Sequence, residues 1–163
     1  MRLVTWRELL DGMGQEPELT PGEIHVWQAS VSVPPVTLSF LDGLLSSDEH
    51  ARAHRFRFQR DRNSYVVSHG LLRQLLAAYT GDQAARILFV YGAQGKPATA
   101  NSGNAVVRFN ISHSGDTVLL GFALDREIGV DVERTPDGLD FARLSETAFS
   151  QNGAECCSGT AHG

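Results

Sequence analysis

Lysine is almost missing from this chain. Of its 14 basic residues only Lys96 is a lysine, and acidic residues outnumber basic ones to leave a net charge of −5. That balance argues against a general nucleic-acid binder, whose usual footprint is a basic face. Long apolar runs are also lacking, and none approaches the ~18 residues that a membrane span requires. Near the start, Arg7, Glu8 and Asp11 interrupt the apolar stretch that a signal peptide would need. A soluble cytoplasmic protein with no membrane partner is expected. Cysteine occurs twice, at Cys156 and Cys157. Neighbouring cysteines seldom bridge each other and do not make a C-x-x-C motif, so two incidental thiols are expected rather than a metal or redox centre.

What is present is an ordinary globular composition, 42% hydrophobic and 20% charged over 163 residues, which suffices for a real core. Residues 1–22 are mixed and end in Pro17, Pro21 and Gly22, so at most a short helix and then a loop are expected. Ile24–Val31 is β-branched and aromatic with partial alternation and reads as a strand, ended by Pro34 and Pro35. Ser46 and Glu49 form a capping-box pattern that opens a helix carrying Arg52, Arg55 and Phe56. A second helix is predicted from about Asp61 to Tyr79, with Val67, Leu71, Leu75 and Ala78 on one stripe and Gly81 as its stop. Arg86–Tyr91 reads as a strand, 92–97 as a glycine-rich turn and Thr99–Asn104 as a polar loop.

The stretch Phe109–Glu133 organises the rest. It reads as three strands joined by turns at Ser114-Gly115-Asp116 and Asp125-Arg126-Glu127, the third strand being Ile128–Glu133. This order predicts an α+β fold, with helices on one face of a largely antiparallel sheet. On the third strand Asp131 and Glu133 share a face while Val130 and Val132 turn inward. A hard divalent cation such as Mg²⁺ suits two carboxylates so placed, keeping waters and taking phosphate oxygens from a substrate. A solvated acidic edge beside Arg126 and Arg134 accounts for the same spacing. Ser112 and His113 could donate to an anion, but alternation sends them to opposite faces, which disfavours a Ser/His hydrolase pair. Gly95-Lys96-Pro97 could aim an ammonium at a phosphate, or be a solvated turn. It is not a Walker A loop, because proline follows the lysine. The Arg52–Arg62 run could receive a phosphate, or be a solvated helix face.

Taken in order, the R-F helix, D-R and L-L-R helix, Y-G-x-x-G-K-P, F-N-I-S-H-S-G and I-G-V-D-V-E strongly resemble the Sfp-type 4′-phosphopantetheinyl transferases from about Leu41 to Ser150. The resemblance implies two pseudo-symmetric α/β halves with coenzyme A between them. It implies transfer of the phosphopantetheine arm to a serine of an apo carrier protein, with Mg²⁺ at the pyrophosphate and 3′,5′-ADP released. By the same likeness Asp131 and Glu133 hold the metal and, with His113, form the catalytic set. Ser112 and His113 contact the nucleotide and its phosphates, Gly95 and Lys96 belong to the phosphate loop, and Arg52 and Arg60 receive the 3′-phosphate. Residues 1–125 then form the first half-domain, 126–150 the start of the second, and 151–163 a disordered tail.

The sequence departs from the family twice. Ser64 stands where many members carry an arginine, at a cost of ~1–3 kcal/mol in affinity if nothing replaces it. No W-x-x-K-E-A helix follows Phe149-Ser150, as a frameshift or truncation near Ser150 would produce. A catalytically incomplete remnant that binds nucleotide is the alternative. Sheet surface around Val130 and Val132, left open without a second half, would favour self-association.

Overall fold

The computed structural model describes residues 2–3, 17–91, 97–99 and 106–134. Gly95, Lys96 and everything from Thr135 onward lie outside the described residues, as does most of the short helix expected within 1–22. Residues up to Glu133 form one compact unit.

A four-stranded sheet runs in the order β1 (Arg2–Leu3), β2 (Ile24–Ser30), β6 (Thr117–Leu124), β5 (Val107–Ser114). β1 joins β2 in parallel, and the other pairings are antiparallel. β5 and β6 form a hairpin from Val107 opposite Leu124 to Ser114 opposite Thr117. A small second sheet pairs β3 (Phe89–Tyr91) with β4 (Pro97–Thr99).

Alternation along the large sheet sorts its faces. Trp27, Ala29, Val107, Phe109, Val118, Leu120 and Phe122 are buried in one core with Leu71, Leu72, Leu75 and Leu76. Those leucines belong to α3 (Gln59–Thr80), the long helix that the apolar stripe predicted. Gly81 ends it in the left-handed conformation, at φ 72°. Each such large side chain contributes about 1.5–3 kcal/mol on burial. Helix and sheet are also tied by polar groups. Trp27 Nε1 donates to Tyr79 Oη at 2.8 Å, and the same hydroxyl lies 2.8 Å from His25 Nδ1.

Two shorter helices precede α3. The first, α1 (Pro35–Asp42), was not expected; Pro34 caps it and Pro35 takes the first helical position, where a missing N–H costs nothing. It lies so close to α3 that a Cβ on Gly70 would come within 2.7 Å of Leu41 Cβ. The second, α2 (Ser47–Ala53), begins with the predicted capping box: Ser46 accepts from Glu49 N, and Glu49 Oε2 accepts from Ser46 N at 2.8 Å. It stops at Ala53, so Arg55 and Phe56 lie past its end.

Two expected strands need correction. In Arg86–Tyr91 the first residue closes a 3-10 turn (Ala84–Arg86), and only Phe89–Tyr91 is strand. The segment Ile128–Glu133 has the predicted alternation of buried and exposed side chains but joins no ladder. Its Val130 and Val132 amides are held by side chains of β5 instead. The predicted three-strand stretch is therefore a two-strand hairpin followed by an extended segment.

Candidate functional site

Among the described residues, charge enters the core at one place. Glu49 and Arg73 are each 1% exposed. Arg73 donates from Nε to Glu49 Oε2 at 2.8 Å, with Nη2 2.7 Å from the same oxygen. Its Nη1 donates to the carbonyls of Ala84 and Ile87, and the guanidinium lies 5.0 Å from the Phe89 ring centroid. The other Glu49 oxygen is 3.1 Å from His69 Nδ1. Burial pushes the Glu49 carboxyl up, but hydrogen bonds from His69, Arg73 and Ser46 and the Arg73 charge outweigh it and bring its pKa to about 2. Glu49 is therefore a carboxylate near neutral pH, which makes Nδ1 the donating nitrogen of His69.

His69 stacks on Tyr65, with ring centroids 4.0 Å apart. Both line a cavity of about 560 Å³ together with Arg60, Ser64, Ser68 and His113. Ser68 is 2% exposed, and among the described residues its hydroxyl has no hydrogen-bond partner. His113 reaches this cavity because it continues the Val107, Phe109, Ile111 face of β5. It is not at the strand–turn junction but inside the ladder, opposite Val118. Arg60, in the first turn of α3, donates to Asp116 on the hairpin turn at 3.1 Å. The cavity can thus offer a guanidinium, two imidazoles and hydroxyls to an anion.

Ser112 lies on the other face of β5, as alternation predicts. Its hydroxyl donates to Asp131 Oδ1 at 2.9 Å and accepts from Val132 N at 3.2 Å. One register step back, Asn110 Oδ1 accepts from Val130 N at 2.9 Å. These side chains stand in for the missing backbone ladder. Asp131 and Glu133 are both exposed. Among the described residues no group of three or more His, Cys, Asp or Glu could enclose a metal ion. The two carboxylates still fit a hard cation, since Mg²⁺ needs only one or two when waters and phosphate oxygens complete its shell.

Of the residues singled out from sequence, the structure brings Arg60 and His113 to one cavity and Ser112 to Asp131. Arg52 is exposed on α2 and does not line that cavity. Gly95 and Lys96 are outside the described residues. His69 was missed. The signal available for it was a Ser-His pair, Ser68-His69, on the otherwise apolar middle of a long helix.

The fold is α+β, a helix-backed mixed sheet with polar groups on both sides of its edge strand. The chain belongs to the phosphopantetheinyl transferase family: residues 27–123 match the profile described as 4′-phosphopantetheinyl transferase, N-terminal. It is 34% identical over 136 residues to the 4′-phosphopantetheinyl transferase HetI of Nostoc sp. (strain PCC 7120), covering 82% of this chain and 57% of that protein. It is 37% identical over 107 residues to the putative 4′-phosphopantetheinyl transferase slr0495 of Synechocystis sp. (strain PCC 6803), covering 66% and 44% respectively. Against the 4′-phosphopantetheinyl transferase psf-1 of Bacillus pumilus the identity is 31% over 110 residues, covering 68% and 45%. The chain spans about half the length of the curated relatives it matches.

Proposed function

We propose that this chain binds coenzyme A and takes part in moving its 4′-phosphopantetheine arm to a serine of an apo acyl or peptidyl carrier protein. In that reaction the serine oxygen bonds to the β-phosphorus of coenzyme A. The bond from that phosphorus to the bridging oxygen breaks, 3′,5′-ADP leaves, and the serine proton passes to a base. One observation carries the reading: a single strand edge has a cavity lined by Arg60, His69, His113 and hydroxyls, with Asp61 at its wall, on one side and a carboxylate pair on the other. A nucleotide with a separate phosphate and a metal-bound pyrophosphate needs both. Arg60, His69 and His113 would receive the 3′-phosphate, with His69 in part making up for the serine at position 64. Asp131 and Glu133 would hold Mg²⁺, which neutralises charge at the pyrophosphate when bound. The role of Lys96 and Gly95 as a phosphate loop and of Arg52 in the basic set is part of the same proposal. A cytoplasmic setting goes with it; no described helix is long and apolar enough to cross a membrane.

The test is Mg²⁺-dependent loading of a fluorescent coenzyme A conjugate onto an apo carrier protein. Labelling that disappears in Asp131→Ala is expected. A second reading, nucleotide binding without transfer, is favoured by the lack of a third carboxylate or imidazole at Asp131 and Glu133 among the described residues. It predicts measurable 3′,5′-ADP binding with no labelling. Loss of both would overturn the proposal. Self-association through the sheet face beside Val130 and Val132 is also proposed, and a monomer at high concentration in light scattering would count against it.

A further inference from the structure

We infer that Asn110, Ser112 and Gly121 are positioning residues that set where the carboxylates of Asp131 and Glu133 stand. The inference rests on the proposed role of those carboxylates as the cation site.

The segment Ile128–Glu133 has no ladder to fix its register. A free extended segment could slide or lift, and a slip of one residue would exchange the Val and acidic faces. Two side chains prevent that. The Val130 and Val132 amides, two residues apart, donate to Asn110 Oδ1 and Ser112 Oγ, also two residues apart. The matching period leaves one register in which both bonds form. Ser112 adds a third contact by donating to Asp131 Oδ1, and Val132 N reaches the same oxygen at 3.0 Å. One oxygen of Asp131 is thereby committed to orientation, and the other has no hydrogen-bond partner among the described residues.

Gly121 sets the height of the segment over the sheet. It sits opposite Asn110 on the neighbouring strand, and so on the same face. A Cβ at this position would lie 2.6 Å from Val130 Cγ1 and 3.0 Å from Ile128 Cδ1. The segment lies down onto the sheet only because that position has no side chain. These three residues thus determine the register, height and orientation of the acidic pair.

The test is titration of the full chain with Mn²⁺, in place of Mg²⁺, followed by the paramagnetic signal of the free ion. Asn110→Ala and Ser112→Ala should each weaken Mn²⁺ binding at least tenfold while leaving the melting temperature and the amide protection of β6 close to the parent. Ser112→Thr keeps the hydroxyl and should restore binding. Gly121→Ala should weaken it as well. Parent-like Mn²⁺ affinity in Asn110→Ala and Ser112→Ala, with binding lost in Asp131→Ala, overturns the inference and leaves the proposed cation site standing. Failure of the parent chain itself to bind Mn²⁺ overturns both, and the parent titration alone tells these two failures apart. Should Asn110→Ala not fold, the Ser112→Ala and Ser112→Thr pair decides.

Discussion

Glu49 and Asp131 are both carboxylates that accept from a backbone amide, yet they sit at opposite ends of a scale. Glu49 is 1% exposed, and its two oxygens take up Arg73, His69 and the Ser46 amide. It is closed to ligands by burial, and it ties α2 to α3 through His69 and Arg73, while Arg73 in turn bonds the carbonyls of Ala84 and Ile87 ahead of β3. Asp131 is exposed and anchored through one oxygen by Ser112 and Val132. The difference shows how the fold separates structural from available charge: by burial and by how many of the lone pairs are occupied, not by residue type.

The contrast can be broken deliberately. Arg73→Met removes the guanidinium and leaves Glu49 buried with only His69 and the Ser46 amide as partners. A stability loss of about 3–5 kcal/mol is expected in urea unfolding, because an uncompensated buried charge remains. A loss below 1 kcal/mol would refute the structural role. Acid acts on the same group. Its pKa in the fold is about 2 against an ordinary value of 4.5, so its contribution is fully present above about pH 5 and is lost as pH falls through 2. The linkage amounts to roughly 3 kcal/mol. Unfolding measured from pH 6 to pH 2 should show that decline, flattened in Glu49→Gln.

Asp131→Ala sharpens the other end of the scale. It removes the exposed hydrogen bonds from Ser112 and Val132, so about 1–2 kcal/mol of stability is expected to go while carrier labelling is lost. A large drop in stability would make Asp131 a second structural carboxylate. The smallest effect is expected at Asp116, whose pair with Arg60 is well exposed, at 65% and 69%. Such pairs contribute about 0–1 kcal/mol. Asp116→Asn frees Arg60 for the cavity and should tighten 3′,5′-ADP binding by up to about fivefold, read by calorimetry. Weaker binding would mean that Asp116 orients Arg60 rather than competing for it.

Much of the scaffold could be read from local pattern. The stripe on α3, the capping box at Ser46 and Glu49 and the β5–β6 hairpin each rest on residues within a few positions of one another. So does the divergence of Ser112 and His113. What could not be read depends on distant partners. The helix α1 holds β-branched Val36 and Thr37 behind two prolines, which looks like the end of a strand; Leu41 packed on Gly70 settles it as helix. Alternation in Ile128–Glu133 is the same whether the backbone or the side chains of a neighbour hold it, so the segment was expected in the sheet. Glu49 was legible as a cap, but its bond to Arg73, 24 residues on, was not. His69 was legible only as half of a Ser-His pair on an apolar helix, since its partner Glu49 is 20 residues away.

The contact between Trp27 and Tyr79 makes the protein its own optical gauge. Trp27 is 3% exposed on the sheet, and its indole donates to a hydroxyl on the last turn of α3. Its emission is therefore set by whether that helix lies on that sheet. Only one other tryptophan, Trp6, contributes to the spectrum, and Trp6→Phe leaves a chain whose fluorescence reports that single interface, with no dye attached.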